Sequence, residues 1–437
     1  MWQPGSHGLC KQLFTPKRKT TMSNKQHYDI AVVGAGPAGS VAAYAAAVRG
    51  LRVALIDQRS FPRDKSCGDG IGPGGARLLK RLRLDPVLAD AVPIGAISIV
   101  GPDGTEARAD VPVVDGEPQH GYVMDRKTFD NRLFAAACQA GADDYTGHKL
   151  QVDPEIDAAG AAIRNGQRSM TLRRGAAHDS NAQEVQLSCR LLVGADGAYS
   201  SVRRLLGAPA HPCRHTLLAM RAYADVPTDF EPRLMFEFSR ELLPGYGWIF
   251  PSGAGWVNVG VGLTLSNTTS APNDIRSQLS AFVARARERG LSIGPLRGHR
   301  SHHLPTAAHI PQLRYWRAAL VGDSAAMINP MSGEGIVYAM TAATALVEKL
   351  PADLTDEHAL HCALTDYQLW YQRSYRAHMR ANHLATRIMA RPNGANWAIR
   401  AAHRNPDVMS AAVKLLFDLG HIPRRTLAKG LLRAALG

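Results

Sequence analysis

Cysteine is scarce and scattered: Cys10, Cys67, Cys138, Cys189, Cys213 and Cys362 form no C-x-x-C pair and no His-Cys cluster. That excludes a disulfide scaffold and a structural zinc site, and it fits a reducing cytoplasm. His302 and His303 adjoin each other but lack a carboxylate or third histidine at ligand spacing, so no metal is expected. Internal repeats and low-complexity windows are absent, which excludes a solenoid or a fibrous array. No apolar segment of secretory length opens the chain, because Lys11 and the basic run 17–19 interrupt it. Residues 1–27 read as a disordered tail, with Met22 a plausible alternative start.

Acids are scarce at both ends, and the formal charge of +14 is concentrated there. Residues 1–27 carry five Lys or Arg and no acid. Residues 371–437 carry twelve against Asp407 and Asp418, which leaves the stretch between close to neutral. The basic C-terminal region has several readings: a solvated helical surface, attraction to an anionic membrane surface or to a diphosphate-bearing substrate, or, through amphipathic stretches such as AAVKLLFDLG (411–420), a lid over the pocket or a dimer contact. Nucleic acid is not expected, since these arginines come without zinc-finger spacing, an RNP-like motif or basic-aromatic alternation.

Long charge-free runs are few. The one that raises a membrane question, Ile30 to Val48, is broken by Gly34, Gly36, Pro37 and Gly39 and changes there from β-branched to helix-forming residues. It reads as strand YDIAVV (28–33), turn GAGPAG (34–39) and helix. Gly34 permits the tight turn, Gly36 lets a pyrophosphate approach the backbone, and Gly39 lets helix and strand pack closely, with Pro37 and Ala38 completing the phosphate loop. Gly50 closes the helix, and LRVALID (51–57) supplies a second strand ending in Asp57. A carboxylate about twenty residues beyond the glycines is placed for ribose hydroxyls. Arg59 and Arg63 nearby leave a phosphorylated ribose open on charge alone.

Two later segments repeat the strand-turn-helix pattern. LLVGADGAYSSVRRLLG (191–207) carries Asp196 and Gly197, and AALVGDSAAMINPMSGEGIVYAM (318–340) carries Asp323 and then Gly333, Glu334 and Gly335. In this order the motifs resemble those of FAD-dependent oxidoreductases of the glutathione-reductase-like fold. The resemblance implies FAD as cofactor, flanked by Asp196 and Gly197. It further implies that Asp323 holds the ribityl chain and that the Gly333 to Ile336 backbone faces the flavin pyrimidine edge. Residues 122–143 read as a helix, with Phe129, Leu133 and Ala136 or Ala137 at helical spacing. Arg126 at its start resembles the family arginine that reaches toward the cofactor, while Asp130 is expected to serve the fold.

Two segments narrow the resemblance. Cys67-Gly68-Asp69, and the P-x-Y-x-W-x-F-P pattern at Pro244, Tyr246, Trp248, Phe250 and Pro251, resemble elements of the geranylgeranyl reductase family. Such a reductase saturates carbon-carbon double bonds, which requires hydride from a reduced flavin, a proton donor and a dry channel. By this resemblance Cys67, Tyr246 and Trp248 are the candidate catalytic residues. Tyr246, Trp248, Phe250 and Trp256 would form an apolar wall with polar tips, although WIFPSGAGWVNVGVG is also what a half-buried hairpin looks like. Cys138 is expected in the core.

The fold class expected is α/β: a Rossmann-like FAD-binding domain of glutathione-reductase type, an inserted antiparallel-sheet substrate domain, and a helical C-terminal region. The FAD-binding domain would comprise 28–95, 120–150, 185–208 and 300–350, the substrate domain 96–119 and 209–299, and the helical region 351–437. Two rivals share the fold. One is an FAD monooxygenase acting on an aromatic or terpenoid compound, disfavoured because GDSAAMINPMSGEGI lacks the histidine usual in those enzymes; the other is a non-catalytic prenyl-binding protein, disfavoured by the intact glycine and aspartate motifs. The expected partner is an apolar small molecule, with peripheral membrane contact through the basic C-terminal region left open. No second nucleotide fingerprint is evident, so NAD(P)H and a ferredoxin-type protein both stand as electron donors.

Overall fold

The computed structural model describes residues 26–110, 113–114, 117–118, 120–151, 163–164, 166–174, 183–253, 255–265, 273–307 and 311–417. The expected tail up to residue 25 and the stretch 418–437 lie outside the described residues. The chain opens on β1 (Gln26–Val33), apolar through its second half because both of its faces are covered. It continues through α1 (Pro37–Val48) into β2 (Val53–Asp57), parallel to β1. Beyond α2 (Pro73–Arg81), strands β3 (Ala96–Val100) and β4 (Glu106–Asp110) leave for a second sheet. The chain returns through α3 (Arg126–Gln139) and β5 (Asp143–Thr146), parallel to β2. Then β6 (Gln167–Arg174) pairs antiparallel with β7 (Gln183–Gly194), which lies parallel to β1 on its other side.

The short α4 (Ser201–Leu205) leads into β8 (Thr216–Asp225), β9 (Arg233–Glu237), β10 (Tyr246–Pro251) and β11 (Trp256–Thr264). After α5 (Asn273–Glu288), β12 (Arg297–Pro305) joins the same sheet, giving the order β12-β8-β11-β10-β9-β3-β4. Every pair in it is antiparallel except β9 with β3. Finally β13 (Ala318–Leu320) lies parallel to β7 and completes the parallel order β5-β2-β1-β7-β13. Four α-helices follow among the described residues: α6 (Ile336–Lys349), α7 (Glu357–Met389), α8 (Pro392–Arg404) and α9 (Pro406–Phe417).

The period of two along β10 decides what faces what. Ile249 joins the cluster made with Leu279, Phe282 and Val283 of α5. Trp248 and Phe250, on the opposite face, join Ile399 of α8 and Val413 and Leu416 of α9. The second sheet is thus covered by α5 on one side and by the C-terminal helices on the other, where the site lies. The helix expected over 122–143 is shorter. Gly121–Val123 pairs as a strand between Gly70–Ile71 and Val92–Ile94, and Asp125 then caps α3 by accepting the Thr128 N–H at 2.9 Å.

Candidate active site

The glycine turn is built as its chemistry requires. Gly34 has φ +100°, a conformation that favours glycine, and a side chain on Gly39 would overlap the Gly34 carbonyl oxygen. Helix α1 therefore starts directly against β1, with Gly36 as its N-cap, Pro37 in its first turn and no side-chain capping hydrogen bond. Asp57, at the end of β2, accepts the Ala35 N–H and the Arg59 N–H, both at 2.9 Å. Gly36, Pro37, Ala38 and Asp57 line one large cavity of about 830 Å³.

The other expected cofactor residues reach the same cavity. Gly197 and Asp196 line it, but the Asp196 carboxylate is committed to α4: it accepts the Ser201 N–H at 2.5 Å, the Val202 N–H at 3.1 Å and the Ser200 hydroxyl. Asp323 lies 3.1 Å from the Lys65 ammonium. Burial alone would push its carboxyl up; Lys65, with His302 and Arg126, outweighs that and holds it below the ordinary range. His302 lines the cavity nearby, and burial, aided by the Lys65 charge, lowers it to about 4, so its imidazole is neutral. Arg126 also lines the cavity, beside the Cys67 thiol, and is tied to Asp130 at 2.7 and 2.8 Å. Asp130 accepts Arg63 as well, at 3.1 Å, consistent with a place in the fold.

Gly333, Gly335 and Ile336 bring the N-terminus of α6 to the cavity, with Gly335 as its N-cap. Tyr246 bridges to this loop from the second sheet: its hydroxyl donates to the Ser332 carbonyl, and its ring packs on Phe236 with centroids 5.4 Å apart. Burial, with the charge of Glu334 nearby, pushes the phenol well above its ordinary range, so it stays protonated. Glycines, a helix N-terminus and a strand-end carboxylate at one end of the cavity, with a second helix N-terminus deeper in, fit a flavin dinucleotide.

The loop carrying Cys67 is clamped to the second sheet. Arg221 of β8 holds both Asp64 oxygens at 2.7 Å, and the Tyr223 hydroxyl donates to Asp69 at 2.8 Å. Asn258 of β11, directly opposite Tyr223 in the sheet, donates to the Cys67 carbonyl at 2.8 Å and to Asp69 at 2.7 Å. It also accepts the Trp248 indole N–H at 3.0 Å. Asp69 is fully buried at φ +64°, and its second oxygen has no partner among the described residues. Burial raises its carboxyl to about 7, against the lowering effect of Asn258, Tyr223, Arg221 and Arg126.

Trp248 and Phe250 line the cavity beside the Cys67 loop, where a side chain on Gly68 would meet Phe250 at 3.0 Å and the Trp248 indole nitrogen at 3.3 Å, and Leu416 and Phe417 of α9 line it as well. Trp256, expected in the same wall, stands apart, edge-on to Tyr223 with centroids 5.0 Å apart and outside the lining. Cys138 is half-buried against the core, its thiol pushed up to about 12 by burial. Sequence reasoning missed Lys65, Asn258 and His302, and it did not single out Leu416 and Phe417 within the amphipathic stretch 411–420. It also missed Gly260, where a side chain would enter the Trp248 ring. A polar residue amid the apolar alternation VNVGVG was the available signal for Asn258.

The fold and the cradle together define a flavin-dinucleotide oxidoreductase. A family profile described as "FAD binding domain" matches residues 27–369, and the chain belongs to that family. The chain is 34% identical to a menaquinone reductase of Mycobacterium tuberculosis (strain ATCC 25618 / H37Rv), over 78% of this chain and 79% of that protein. It is 31% identical to a digeranylgeranylglycerophospholipid reductase of Methanosarcina acetivorans, over 73% and 74% respectively. Its fold matches the crystal structure of a geranylgeranyl bacteriochlorophyll reductase-like protein from Thermoplasma acidophilum with a TM-score of 0.75 at 21% identity, covering 94% of this chain and 96% of that one. The protein is an FAD-dependent oxidoreductase of the geranylgeranyl reductase type expected from Cys67 and the Tyr246 to Pro251 strand. Among the described residues no helix is long and apolar enough to cross a membrane.

Proposed function

We propose that this enzyme reduces carbon-carbon double bonds of an isoprenoid chain, taken from or near a membrane surface. The observation that carries this reading is a single cavity joining the dinucleotide cradle to an aromatic and aliphatic wall of Phe236, Tyr246, Trp248, Phe250, Leu416 and Phe417. Burial of a prenyl chain there contributes about 0.8 kcal/mol per methylene before ordering costs, so the tail supplies the affinity. The names of the relatives, reductases of menaquinone and of digeranylgeranylglycerophospholipid, support the substrate class.

FAD in its reduced form supplies the hydride. Gly34, Gly36, Pro37 and Ala38 would hold its pyrophosphate at the N-terminus of α1, which Gly39 seats against β1, Asp57 would hold its ribose, and Asp323 with Lys65 its ribityl side. Gly333, Gly335 and Ile336 would present backbone to the ring system, and Gly197 would border the cofactor. Arg126 sits beside Cys67, keeping a positive charge next to the thiol. Trp248 and Phe250 exclude water from the reacting double bond, and Tyr246 and Cys67 are the groups positioned to deliver a proton to its second carbon.

The test is product mass. Enzyme supplied with electrons, from NADPH in one arm and from a ferredoxin-type protein in another, is mixed with a prenyl diphosphate or a prenylated quinone. A product gaining two hydrogen atoms per double bond supports the reading; one that gains an oxygen atom overturns it in favour of a monooxygenase.

A further inference from the structure

We infer that the outer face of α7 is a docking stripe for anionic lipid bilayers, an inference that rests on the lipophilic-substrate reading above. Leu369, Arg373, Arg376, Arg380, Leu384 and Arg387 follow one another at spacings of four, three, four, four and three residues. On a helix of 3.6 residues per turn, that pattern places all six on one face. All six are exposed, whereas Tyr371, Tyr375, Met379, Asn382 and Met389 make up the buried face. At 1.5 Å per residue the row is about 27 Å long, and the exposed Arg391 adds a further cation just past the helix end.

The stripe has a single sign. No acid occurs between Asp366 and Asp407. Among the described residues none of these arginine side chains enters an ion pair or a hydrogen bond, although surface arginines elsewhere do, as Arg400 does with Asp103 and Arg285 and Arg289 do with Glu237. Ordinary surface helices intersperse both signs, and like charges three and four residues apart repel. An anionic partner layer relieves that repulsion.

The two leucines select the kind of partner. Leu369 and Leu384 are 37% and 59% exposed and belong to the few large apolar side chains exposed on the described surface. Arginines in line with leucines on one face match a helix lying in the headgroup plane, with its apolar side chains dipping toward the acyl chains. An acidic protein would meet the charge but leave the leucines without a fitting environment. The inner side of the same helix reaches the cavity through Thr386. Docking by the outer face therefore sets the substrate cavity beside the phase in which an isoprenoid lipid dissolves.

The experiment is co-sedimentation of the full-length, FAD-loaded protein with two vesicle types, phosphatidylcholine alone and phosphatidylcholine containing phosphatidylglycerol. The expected result is binding to the second type only, released by added salt. The double variant R380Q/R387Q is expected to weaken that binding by about 25-fold, at about fivefold per arginine. The control K80Q/R83Q, which removes the same charge from exposed residues in and just after α2, leaves binding near wild type. Flavin absorbance and activity on detergent-dispersed substrate remain unchanged in R380Q/R387Q. Loss of the wild type's activity in detergent would count against the proposed reaction, not the stripe. Wild-type binding that ignores lipid charge, equal losses in both double variants, or capture by an acidic protein without vesicle binding would each overturn the stripe.

Discussion

The indole N–H of Trp248 donates to Asn258 at 3.0 Å, so a wall residue of the cavity is oriented by an amide that also carries the Cys67 carbonyl. One side chain thereby fixes the spacing between the aromatic wall and the cysteine loop. Asn258→Ala leaves the indole, the Cys67 carbonyl and Asp69 without this partner, at a cost of about 1–3 kcal/mol in stability. Turnover is expected to fall on the order of tenfold to a hundredfold through misplacement alone, with FAD content retained. Urea melts and single-turnover rates check this; unchanged turnover in a folded variant would contradict it.

Asp69 makes stability depend on pH in an uncommon direction. Its carboxyl rises on folding from 3.8 to about 7, so between these values the folded state binds the proton that the unfolded state has released. This contribution is present at low pH and is lost as pH rises to about 7. Wild type minus Asp69→Asn, measured by urea melts across that range, is expected to decline with rising pH. A flat or rising difference would show that Asp69 is ionised throughout.

His302 has the opposite sign. Burial and Lys65 depress it from 6.5 to about 4, so the folded state resists protonation and loses stability as pH falls through that window. His302→Gln is expected to remove part of the acid-induced loss, read as a smaller shift of the urea midpoint between pH 7 and pH 4.

At the cradle, Asp57→Ala deprives two backbone N–H groups of a charged acceptor. FAD affinity is expected to fall about tenfold to a hundredfold, measured by flavin fluorescence during titration of the apoprotein. Gly39→Val, which sets a branched side chain against the Gly34 carbonyl, is expected to abolish flavin binding.

The cradle was legible in the sequence because its function is carried by local backbone: GAGPAG between an apolar strand and an alanine-rich helix leaves little choice of conformation, and Asp57 follows at the end of the next strand. The cysteine clamp was not legible, since Asp69 meets Tyr223 and Asn258 only through the pairing of β8 with β11, more than 150 positions away along the chain. The role of Asp196 was half-legible. The motif marks the right turn, but whether its carboxylate serves a ligand or caps α4 depends on the turn geometry. Trp256 misled because a hairpin's alternation does not say how far along the sheet the cavity extends. Leu416 and Phe417 line the cavity from a helix that carries no motif.

The most direct measurement is anaerobic mixing of the chemically reduced enzyme with geranylgeranyl diphosphate or a prenylated quinone, followed by flavin absorbance. The account predicts that the oxidised-flavin band returns without oxygen as the double bond is saturated. A flavin that stays reduced until oxygen is admitted, with oxygen then found in the product, would contradict it.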